Sequence, residues 1–346
     1  MTAMLDGLTV VEGSAFVAAP SGGMTLAQLG ADVIRFDQVG GGIDHGRWPL
    51  TDDGVSLYWA SLNKAKRSTA VDLRSDEGRE LVRALVAARG VFLSNFPNRG
   101  PLGYDRLVAD RRDLIMVSIS GSHDGTTAVD YTVNCAVGYP DVTGPVEGTE
   151  PVNHVLPAWD VVCGQMAVIG VLGAERHRMR TGEGQLVRLA LSDVALATVA
   201  NLGHVAEAQV LGTQRERYGN QLYGAFGSDF ATLDGRRVMV VAISAKQWES
   251  LLAATHTTDG VHRIETDLGL DFADEGDRFR ARHELVGLMA PWFGARTLAE
   301  VAEGLDAHGV CWGPYRTFLQ LLDEDPRCSE ANPLFQTVHQ PGVGSY

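Results

Sequence analysis

The sequence has no long hydrophobic run. Its 346 residues include no apolar stretch of the ~18 residues that a membrane-spanning helix needs. The first residues, MTAMLDGLTVVEG, also lack the basic start and the apolar segment of a secretory signal. We therefore expect no membrane partner and no export, and the length suggests about two domains.

Cysteine is scarce, and its spacing suggests neither a redox motif nor a metal site. The four cysteines form no C-x-x-C pair, and the ten histidines form no H-E-x-x-H motif. Scattered thiols of this kind are typical of a reducing compartment, where they act as small core side chains. The sequence therefore predicts a cytoplasmic protein without a bound metal. Its cysteines are Cys135, Cys163, Cys311 and Cys328.

Basic residues are also few compared with acidic ones. Lysine and arginine together number 29 against 43 acidic residues, which gives a formal net charge of −14. A chain this acidic is a poor candidate for broad contact with nucleic-acid phosphates. We therefore expect no nucleic-acid partner, although a local cluster of cations can still bind a small anion.

Strand and helix patterns alternate regularly over the first 120 positions. The strand patterns are short runs rich in β-branched residues, at 8–12, 32–36, 68–73, 91–95 and 114–120. Helical patterns of about 10–15 residues separate them, as in βαβ units. The sequence therefore predicts an α/β fold with a parallel sheet covered by helices on both faces.

Beyond position 120 the alternation stops and the pattern changes character. Residues 121–158 are rich in Gly, Thr, Pro and Asp, which predicts an irregular segment, and 193–211 has the pattern of a single helix. Residues 220–320 mix strand and helix patterns, as expected for a smaller α+β domain. We therefore expect a large domain over 1–215, rejoined by 322–346, and the small domain over 220–320.

Three short stretches have the composition of an anion site. SGGMT (21–25) lies between a strand and a helix, but it lacks the G-x-G-x-x-G pattern, so close packing explains its glycines better than a nicotinamide cofactor does. LNKAKR (62–67) and NFPNRG (95–100) flank predicted strands and concentrate cations. Either these two are solvated loops, or they meet at one edge of the sheet and hold a phosphorylated ligand.

Asp160 is the least expected charge in the chain. It lies in VLPAWDVVCGQM, among apolar residues at the start of a predicted helix. One interpretation is an N-cap or a buried salt bridge, because Asp is a preferred capping residue. The other is a nucleophile, because a partly desolvated carboxylate near a helix N-terminus can attack an activated acyl carbon. The local pattern leaves both open.

Several longer motifs, spread over almost the whole chain, resemble those of one enzyme family. They are VVEGSAFVAAPSGGMTLAQLGADVIRFD, LNKAKRSTAVDLRSDEGRELV, SNFPNRG, VDYTVNCAVGYPDVTGP, AWDVVCGQM, RHRMRTGEGQLVRLAL and ARTLAEVAEGLDAHGVCWGPYRT. In this order they resemble the family III CoA-transferases of the CaiB/BaiF type. That group contains formyl-CoA transferase, carnitine CoA-transferase and α-methylacyl-CoA racemase.

The resemblance implies a substrate, an architecture and a set of site residues. The substrate is an acyl-CoA, no prosthetic group is needed, and the aspartate matching Asp160 is the nucleophile. The large domain is Rossmann-like and binds CoA, and two chains interlock as rings in a homodimer. The positions that match those where the family grips CoA are Arg35, Lys64, Lys66, Arg67, Asn95, Phe96 and Arg99.

Departures from the family pattern narrow the implied reaction. Racemases carry a His where Val129 stands and a Glu near Ser244, so racemisation is disfavoured. The glycine-rich loop of formyl-CoA transferase is absent from 240–250. VNHVLPAWD, YGAFGSDF and GDRFRARHE resemble instead a subgroup that moves CoA between the two carboxyl groups of one dicarboxylate, in 2-methylfumaryl-CoA (mesaconyl-CoA), through an aspartyl anhydride and an aspartyl-CoA thioester. The alternatives are intermolecular transfer from an acyl-CoA to a carboxylate, and CoA binding without catalysis.

Such a reaction needs groups that hold a free carboxylate and groups that stabilise oxyanions. We expect the start of the helix after Asp160 to supply backbone N–H donors for the oxyanions. The candidates for substrate binding, each of which could equally be a surface or structural side chain, are Arg47, Asp130, Tyr131, His154 and Arg316.

Overall fold

The structure, a computed structural model, describes residues 3–346 and divides into two compact units. The first unit runs to Pro140 and includes Asn153–Gln214 and Val338–Tyr346. The second consists of Asp141–Val152 and Arg215–Thr337. The chain thus returns to the first unit at position 338 and not at 322, and the loop 141–152, expected in the large domain, belongs to the second unit.

Specific contacts explain both differences. Arg217 donates hydrogen bonds to the carbonyl oxygens of Asp141 and Gly148, which ties that loop to the second unit. Glu324 and Asp325 form ion pairs with Arg236 and Arg316, respectively, so this part of the chain is held there too. These partners are distant in sequence, so local patterns do not reveal them.

A six-stranded parallel sheet forms the centre of the first unit. Its strands are β1 (Thr9–Gly13), β2 (Asp32–Asp37), β3 (Arg67–Ala70), β4 (Val91–Ser94), β5 (Ile115–Ser120) and β6 (Leu186–Ala190). They lie in the order β3-β2-β1-β4-β5-β6, which confirms the predicted α/β fold. Along the chain, β2 and β3 are added on one side of β1, and β4, β5 and β6 are then added on its other side. The β1–β4 pair is therefore a switch point, where such sheets bind ligands beyond the carboxyl ends of the strands.

Helices cover both faces of this sheet and its carboxyl edge. As far as position 211 they are α1 (Ala18–Gln28), α2 (Leu57–Leu62), α3 (Asp76–Arg89), α4 (Tyr104–Asp110), α5 (Asp130–Ala136), α6 (Tyr139–Val142), α7 (Ala158–Thr181), α8 (Leu191–Asn201) and α9 (His204–Leu211). Two of these depart from expectation. The segment 121–158 contains α5 and α6 and is not wholly irregular, and the helix predicted over 193–211 breaks at Gly203, whose φ of 86° is left-handed.

Successive strand residues point to opposite faces and enter different cores. Val10 and Leu93 pack with Cys163 and Ala167 of α7 on one face. Their neighbours, such as Val11 and Phe92, pack with residues of α3 and α4 on the other. Because both faces are buried, the central strands are apolar throughout rather than alternating.

Helices α1 and α7 cross at very short range because glycine faces glycine. A Cβ placed on Gly22 would lie 2.9 Å from the carbonyl oxygen of Gly164, and one on Gly23 would overlap the carboxylate of Glu12. SGGMT therefore lies within α1 rather than before it, and its glycines serve close packing, of Gly22 against helix α7 and of Gly23 against Glu12 in strand β1. The crossing fixes the position of the start of α7 relative to that of α1.

Helix α7 is long and apolar enough to cross a membrane by length and composition alone, and so is the bent pair α8 and α9. The sequence predicts a helix here but no membrane-spanning run, because charged residues interrupt the apolar stretch. In the structure α7 packs against α1, β5 and β6 of the first unit, and residues along it belong to the main core.

The second unit combines a small antiparallel sheet with helices, as the sequence predicts. Its strands, β7 (Phe226–Ala231), β8 (Arg237–Ala242) and β9 (Cys311–Pro314), lie in that order. Its helices are α10 (Ala245–Thr255), α11 (Thr258–Leu268), α12 (Glu275–Arg280), α13 (Arg282–Gly294), α14 (Leu298–Ala307) and α15 (Phe318–Glu324). The ring of Phe230 stacks on that of Phe293 at 4.1 Å in its core. A final hairpin, β10 (His339–Gln340) and β11 (Gly344–Ser345), belongs to the first unit.

Candidate active site

A cavity of about 450 Å³ opens at the carboxyl edge of the parallel sheet. Its walls are the segments that follow β1, β4, β5 and β6, together with the starts of α5 and α7. Asn95 joins the exits of the two central strands: its side-chain amide donates to the Ala15 carbonyl at 2.7 Å and accepts from the Ala15 N–H at 3.0 Å. The cavity therefore lies at the β1–β4 switch point, where a ligand is expected in this topology.

Asp160 lines this cavity from the first turn of α7. Its carboxylate makes no hydrogen bond or ion pair to any residue in the described range 3–346, and only its backbone N–H is bonded to a side chain. Burial, followed by the charge of Asp130, raises the pKa of Asp160 to about 6, while Arg47 acts to lower it. The capping and salt-bridge interpretations are therefore wrong. The group is a partly desolvated carboxylate that is still ionised at neutral pH, as a nucleophile must be.

Asp130 caps α7 instead. Its side chain is 3% exposed, and its Oδ2 accepts the N–H groups of Trp159 at 2.7 Å and of Asp160 at 3.0 Å. Its Oδ1 is buried without a hydrogen-bond partner in the described chain. The next N–H, of Val161, donates to the carbonyl of Pro157. The start of α7 therefore has no N–H groups to offer an oxyanion, and that expectation is wrong.

The start of α1 faces the same cavity with free donors. Val17 and Ala18 line it, and the backbone N–H of neither donates to a residue that the structure describes. Phe16, just before them, has a left-handed φ of 67°, and its N–H donates to the buried carboxylate of Asp44 at 2.8 Å. A strained turn of this kind persists only where its surroundings hold it, and such turns cluster at functional sites.

Arg47 brings a positive charge to the cavity wall. Its guanidinium carbon lies over the rings of Phe16, at 5.5 Å, and Tyr58, at 5.1 Å. Within the described residues it forms no ion pair with a carboxylate. Burial raises the pKa of Tyr58 to about 12, so its hydroxyl stays protonated. Of the predicted substrate-binding cations, Arg47 alone lines this cavity.

Arg35 and Lys66 lie in a buried ion-pair cluster. Arg35 is 1% exposed, bonds to both oxygens of Asp37 and reaches Asp44 and Glu12 at 3.5 and 3.4 Å. Lys66 is also enclosed and donates to Glu12 at 2.8 Å. Their donors are already used inside the protein, so contact with CoA stays a prediction that this arrangement does not favour.

Lys64 and Arg67 lie apart from each other. The Lys64 ammonium lies 4.7 Å from the ring centre of Tyr346. Arg67 is exposed at the amino end of β3, where it pairs with Asp32 at the amino end of β2. Since Asn95 follows the carboxyl end of β4, the expectation that both cationic stretches meet at one sheet edge is wrong for Arg67.

A second cavity, of about 690 Å³, adjoins the first and shares wall residues with it, among them Asn95 and Ala128. Its walls include Phe96 and Arg99, which follow β4, and Arg188 from β6. The Phe96 ring also packs edge-on against Phe36 in the core. This cavity therefore brings together the predicted segment Asn95–Arg99 and one arginine that sequence reasoning missed.

The remaining candidates have local partners or lie outside the cavity. The Tyr131 hydroxyl donates to the Val155 carbonyl at 3.2 Å, and its ring lines the first cavity. The Nδ1 of His154 is buried without a hydrogen-bond partner among the described residues, and His154 is not part of the cavity wall. Arg316 pairs with Glu324 and with Asp325 at 2.6 Å, all within the second unit. Across residues 3–346, no group of His, Cys, Asp or Glu side chains is placed to hold a metal.

Sequence reasoning missed Phe16 and Tyr58 as wall residues. Phe16 stands in SAFVAAP directly after β1, and a position after a central strand is a signal that could have singled it out. Tyr58 stands in a short helix after a Gly- and Asp-rich loop, with no motif around it.

The chain resembles known proteins over almost its whole length. Residues 5–345 match the family model described as CoA-transferase family III. The chain is 58% identical to 2-methylfumaryl-CoA isomerase of Chloroflexus aurantiacus, over 100% of this chain and 86% of that protein. It is 30% identical to succinyl-CoA:mesaconate CoA-transferase of Haloarcula hispanica, over 98% and 86%.

A solved structure also matches this chain in its fold. The crystal structure of a CaiB/BaiF family protein from Brucella suis superposes with a TM-score of 0.80 at 28% identity, covering 99% of this chain and 91% of that one. The chain therefore belongs to the family III CoA-transferases and is an enzyme of that family.

Proposed function

We propose that this enzyme moves CoA between the two carboxyl groups of one small unsaturated dicarboxylate, so that the two regioisomers of 2-methylfumaryl-CoA (mesaconyl-CoA) interconvert. The observation that carries the proposal is Asp160, a partly desolvated carboxylate without a protein partner at the wall of a small cavity. The 58% identical relative bears the name of this reaction.

The first half of the reaction detaches CoA from one end of the acid. An oxygen of Asp160 attacks the thioester carbonyl carbon, the C–S bond breaks, and CoA leaves as a thiolate while a mixed anhydride remains. The thiolate then attacks the aspartyl carbonyl carbon. The C–O bond to the acyl group breaks, which gives an aspartyl-CoA thioester and a free dicarboxylate in the cavity.

The second half repeats these steps from the other end of the acid. The second carboxylate attacks the aspartyl thioester carbonyl, forming a new anhydride and releasing CoA thiolate again. The thiolate attacks the acyl carbon of the substrate, and Asp160 is regenerated as a carboxylate. No external acid enters the balance.

Each attack creates an oxyanion that needs hydrogen-bond donors. The free N–H groups of Val17 and Ala18 at the start of α1 are suited to this, because Asp130 already occupies those at the start of α7. One such donor is typically worth about 3–4 kcal/mol of the barrier. Asp160 and its oxyanion donors would then come from two helices that cross at Gly22 and Gly164.

The second cavity offers a route for the CoA arm to Asp160. It shares the wall residue Asn95 with the first cavity and carries Arg99 and Arg188, whose charges suit the phosphates of CoA. The earlier assignment of Asn95, Phe96 and Arg99 to CoA therefore remains part of the proposal.

We extend the proposal to a homodimer. Exposed apolar side chains remain on α7 and α9 of the single chain, and a partner chain would cover them. They include Met166, Ile169, Val210 and Leu211. Interlocked rings are the arrangement that the family resemblance implies, and a cytoplasmic location fits the four free thiols.

A single incubation tests the reaction. One regioisomer of mesaconyl-CoA, given to the enzyme without any free acid, is expected to equilibrate with the other regioisomer, as resolved by chromatography. Strict dependence on added succinate or mesaconate would support intermolecular transfer instead, which is the reaction that the 30% identical relative is named for. Absence of turnover with or without acid would leave a CoA-binding protein and overturn the proposal.

A further inference from the structure

Arg47 is a cation with two aromatic neighbours and no acidic partner. Its guanidinium lies over the rings of Phe16 and Tyr58, at 5.5 and 5.1 Å from their centres, and it forms no ion pair within the described residues. A cation–π contact at this distance attracts the guanidinium but provides no counter-charge for its N–H groups. Those N–H groups form a fork that matches a carboxylate in two parallel hydrogen bonds.

Both rings are held in place by their own surroundings. Phe16 is fixed by its left-handed backbone and by the bond from its N–H to Asp44, which is 1% exposed. Tyr58 lies in α2, whose N-cap Ser56 accepts the N–H of Trp59 and donates to the carbonyl of Arg47. The backbone of Arg47 is thereby tied to the helix that carries one of its ring partners.

The reaction proposed above poses a problem that this arrangement answers. After CoA has moved to Asp160, the acid is a free dicarboxylate with no covalent bond to the enzyme. It must present its other end before it diffuses away. A cation at the cavity wall can hold whichever carboxylate is not reacting.

We infer that Arg47 is the binding site, here called the seat, for the carboxylate that is not reacting. Phe16 and Tyr58 are positioning residues that hold its guanidinium in a fixed orientation. This inference rests on the proposed function, since it assigns the group that retains the acid between the two halves. The two carboxylates of the substrate exchange places: one sits on Arg47 while the other faces Asp160, and then the reverse. The site therefore selects a short acid with a carboxylate at each end.

The test measures escape of the acid. Mesaconyl-CoA is incubated with the enzyme and isotopically labelled free mesaconate, and label in the thioester pool is counted per isomerisation. The wild-type enzyme is expected to isomerise with almost no label. Arg47→Lys keeps the charge but loses the planar fork, and should raise the label per turnover about tenfold or more, as loss of one bidentate contact does.

The ring variants separate orientation from charge. Tyr58→Leu and Phe16→Leu remove an aromatic neighbour of Arg47 and should also raise the label per turnover, whereas Tyr58→Phe keeps the ring and loses only the hydroxyl, so it should raise the label less than Tyr58→Leu does. Tyr104→Leu, at a half-buried tyrosine outside both cavities, is the matched control. If Arg47→Lys or Tyr58→Leu is folded and takes up as little label per turnover as the wild type, the inference is wrong.

A binding measurement keeps the inference separate from the proposed reaction. Titration calorimetry compares free mesaconate with its monomethyl ester on the wild type and on Arg47→Lys. If Arg47 binds the second carboxylate, the wild type should bind mesaconate more tightly than its monomethyl ester, and Arg47→Lys should lose this preference. If the wild type shows no preference, the seat is wrong even where isomerisation occurs. If it shows the preference but transfers CoA only to added acid, the seat stands and the intramolecular reaction fails.

Discussion

Asp130 caps the helix that carries Asp160, and the two carboxylates therefore differ in the hydrogen bonds that they accept. Asp130 Oδ2 accepts the N–H groups of Trp159 and Asp160 at 2.7 and 3.0 Å, whereas the carboxylate of Asp160 accepts none. Burial, and after it the charge of Asp130, raises the pKa of Asp160. Asp130 thus holds the first turn of α7, and with it Asp160, at the cavity wall.

Asp130→Asn should make Asp160 more acidic. The side-chain oxygen of asparagine can still accept the two N–H groups, but the negative charge is gone, so the pKa of Asp160 should fall below its value of about 6. The acid limb of the kcat–pH profile, where the nucleophile becomes protonated, should move to lower pH. A limb that does not move would mean that Asp130 acts on Asp160 only through the helix cap. Asp130→Ala, which loses the cap, should lower the unfolding free energy by about 1–2 kcal/mol.

Asp160→Asn should abolish turnover and yet stabilise the protein at neutral pH. The folded-state pKa of about 6 exceeds the ordinary value of 3.8, so the native state keeps this proton to higher pH than the unfolded state. The unfolding free energy of the wild type therefore falls as pH rises between these values. Urea titration should find the variant about 3 kcal/mol more stable than the wild type near pH 7.5 and nearly equal to it near pH 3.5. A variant that is less stable at both pH values would contradict the desolvated carboxylate.

Most of the sheet could be predicted because each strand is encoded locally. A run such as LIMVSIS is short, apolar and bounded by turn residues, so it reads as a buried strand whatever packs on it, and it forms β5. Strand β9, CWGP, lacks these features and was missed, since its pairing with β8 comes only from the tertiary structure. The division into units depends on tertiary contacts too, since hydrogen bonds from Arg217 and ion pairs of Glu324 and Asp325 join residues distant in sequence.

From local pattern alone, the site was predictable only where one residue contrasts with its neighbours, and family resemblance supplied further wall residues such as Asn95 and Arg99. Asp160 stands out against an apolar stretch, so sequence reasoning found it. Arg35 and Lys66 look like free cations in the sequence, but Glu12 and Asp37 neutralise them in the fold, and a pattern cannot show which acid a cation meets. The place of Tyr58 at the cavity wall comes only from the packing of α2.

Arg35→Met tests whether this arginine is structural. Removing it leaves the acids of the cluster, Asp37, Asp44 and Glu12, buried with less positive charge, and a broken buried pair typically costs about 3–5 kcal/mol. Chemical denaturation should show a loss of that size. Arg67→Met is the matched control, because its pair with Asp32 is exposed and worth at most about 1 kcal/mol. Unchanged stability with weakened CoA binding would place Arg35 at the nucleotide instead.

Gly164→Ala should impair catalysis through the helix crossing rather than through the site itself. A Cβ there would lie 2.7 Å from the Ala18 carbonyl and would overlap Ser21 Oγ, so α7 must move away from α1. That shift separates Asp160 from the N–H groups of Val17 and Ala18, and misplacement by a fraction of an ångström to 1 Å should lower kcat by about 10- to 100-fold.

Gly173→Ala lies on the same helix in open space, so it provides the control for Gly164→Ala. It should leave kcat unchanged and, because alanine favours a helix, should raise the unfolding free energy by up to about 1 kcal/mol. Steady-state kinetics and chemical denaturation should be used to measure kcat and the unfolding free energy of both variants. If Gly164→Ala loses stability while its kcat equals that of Gly173→Ala, the α1–α7 distance does not set the alignment of nucleophile and donors, and the oxyanion site must be sought elsewhere in the cavity.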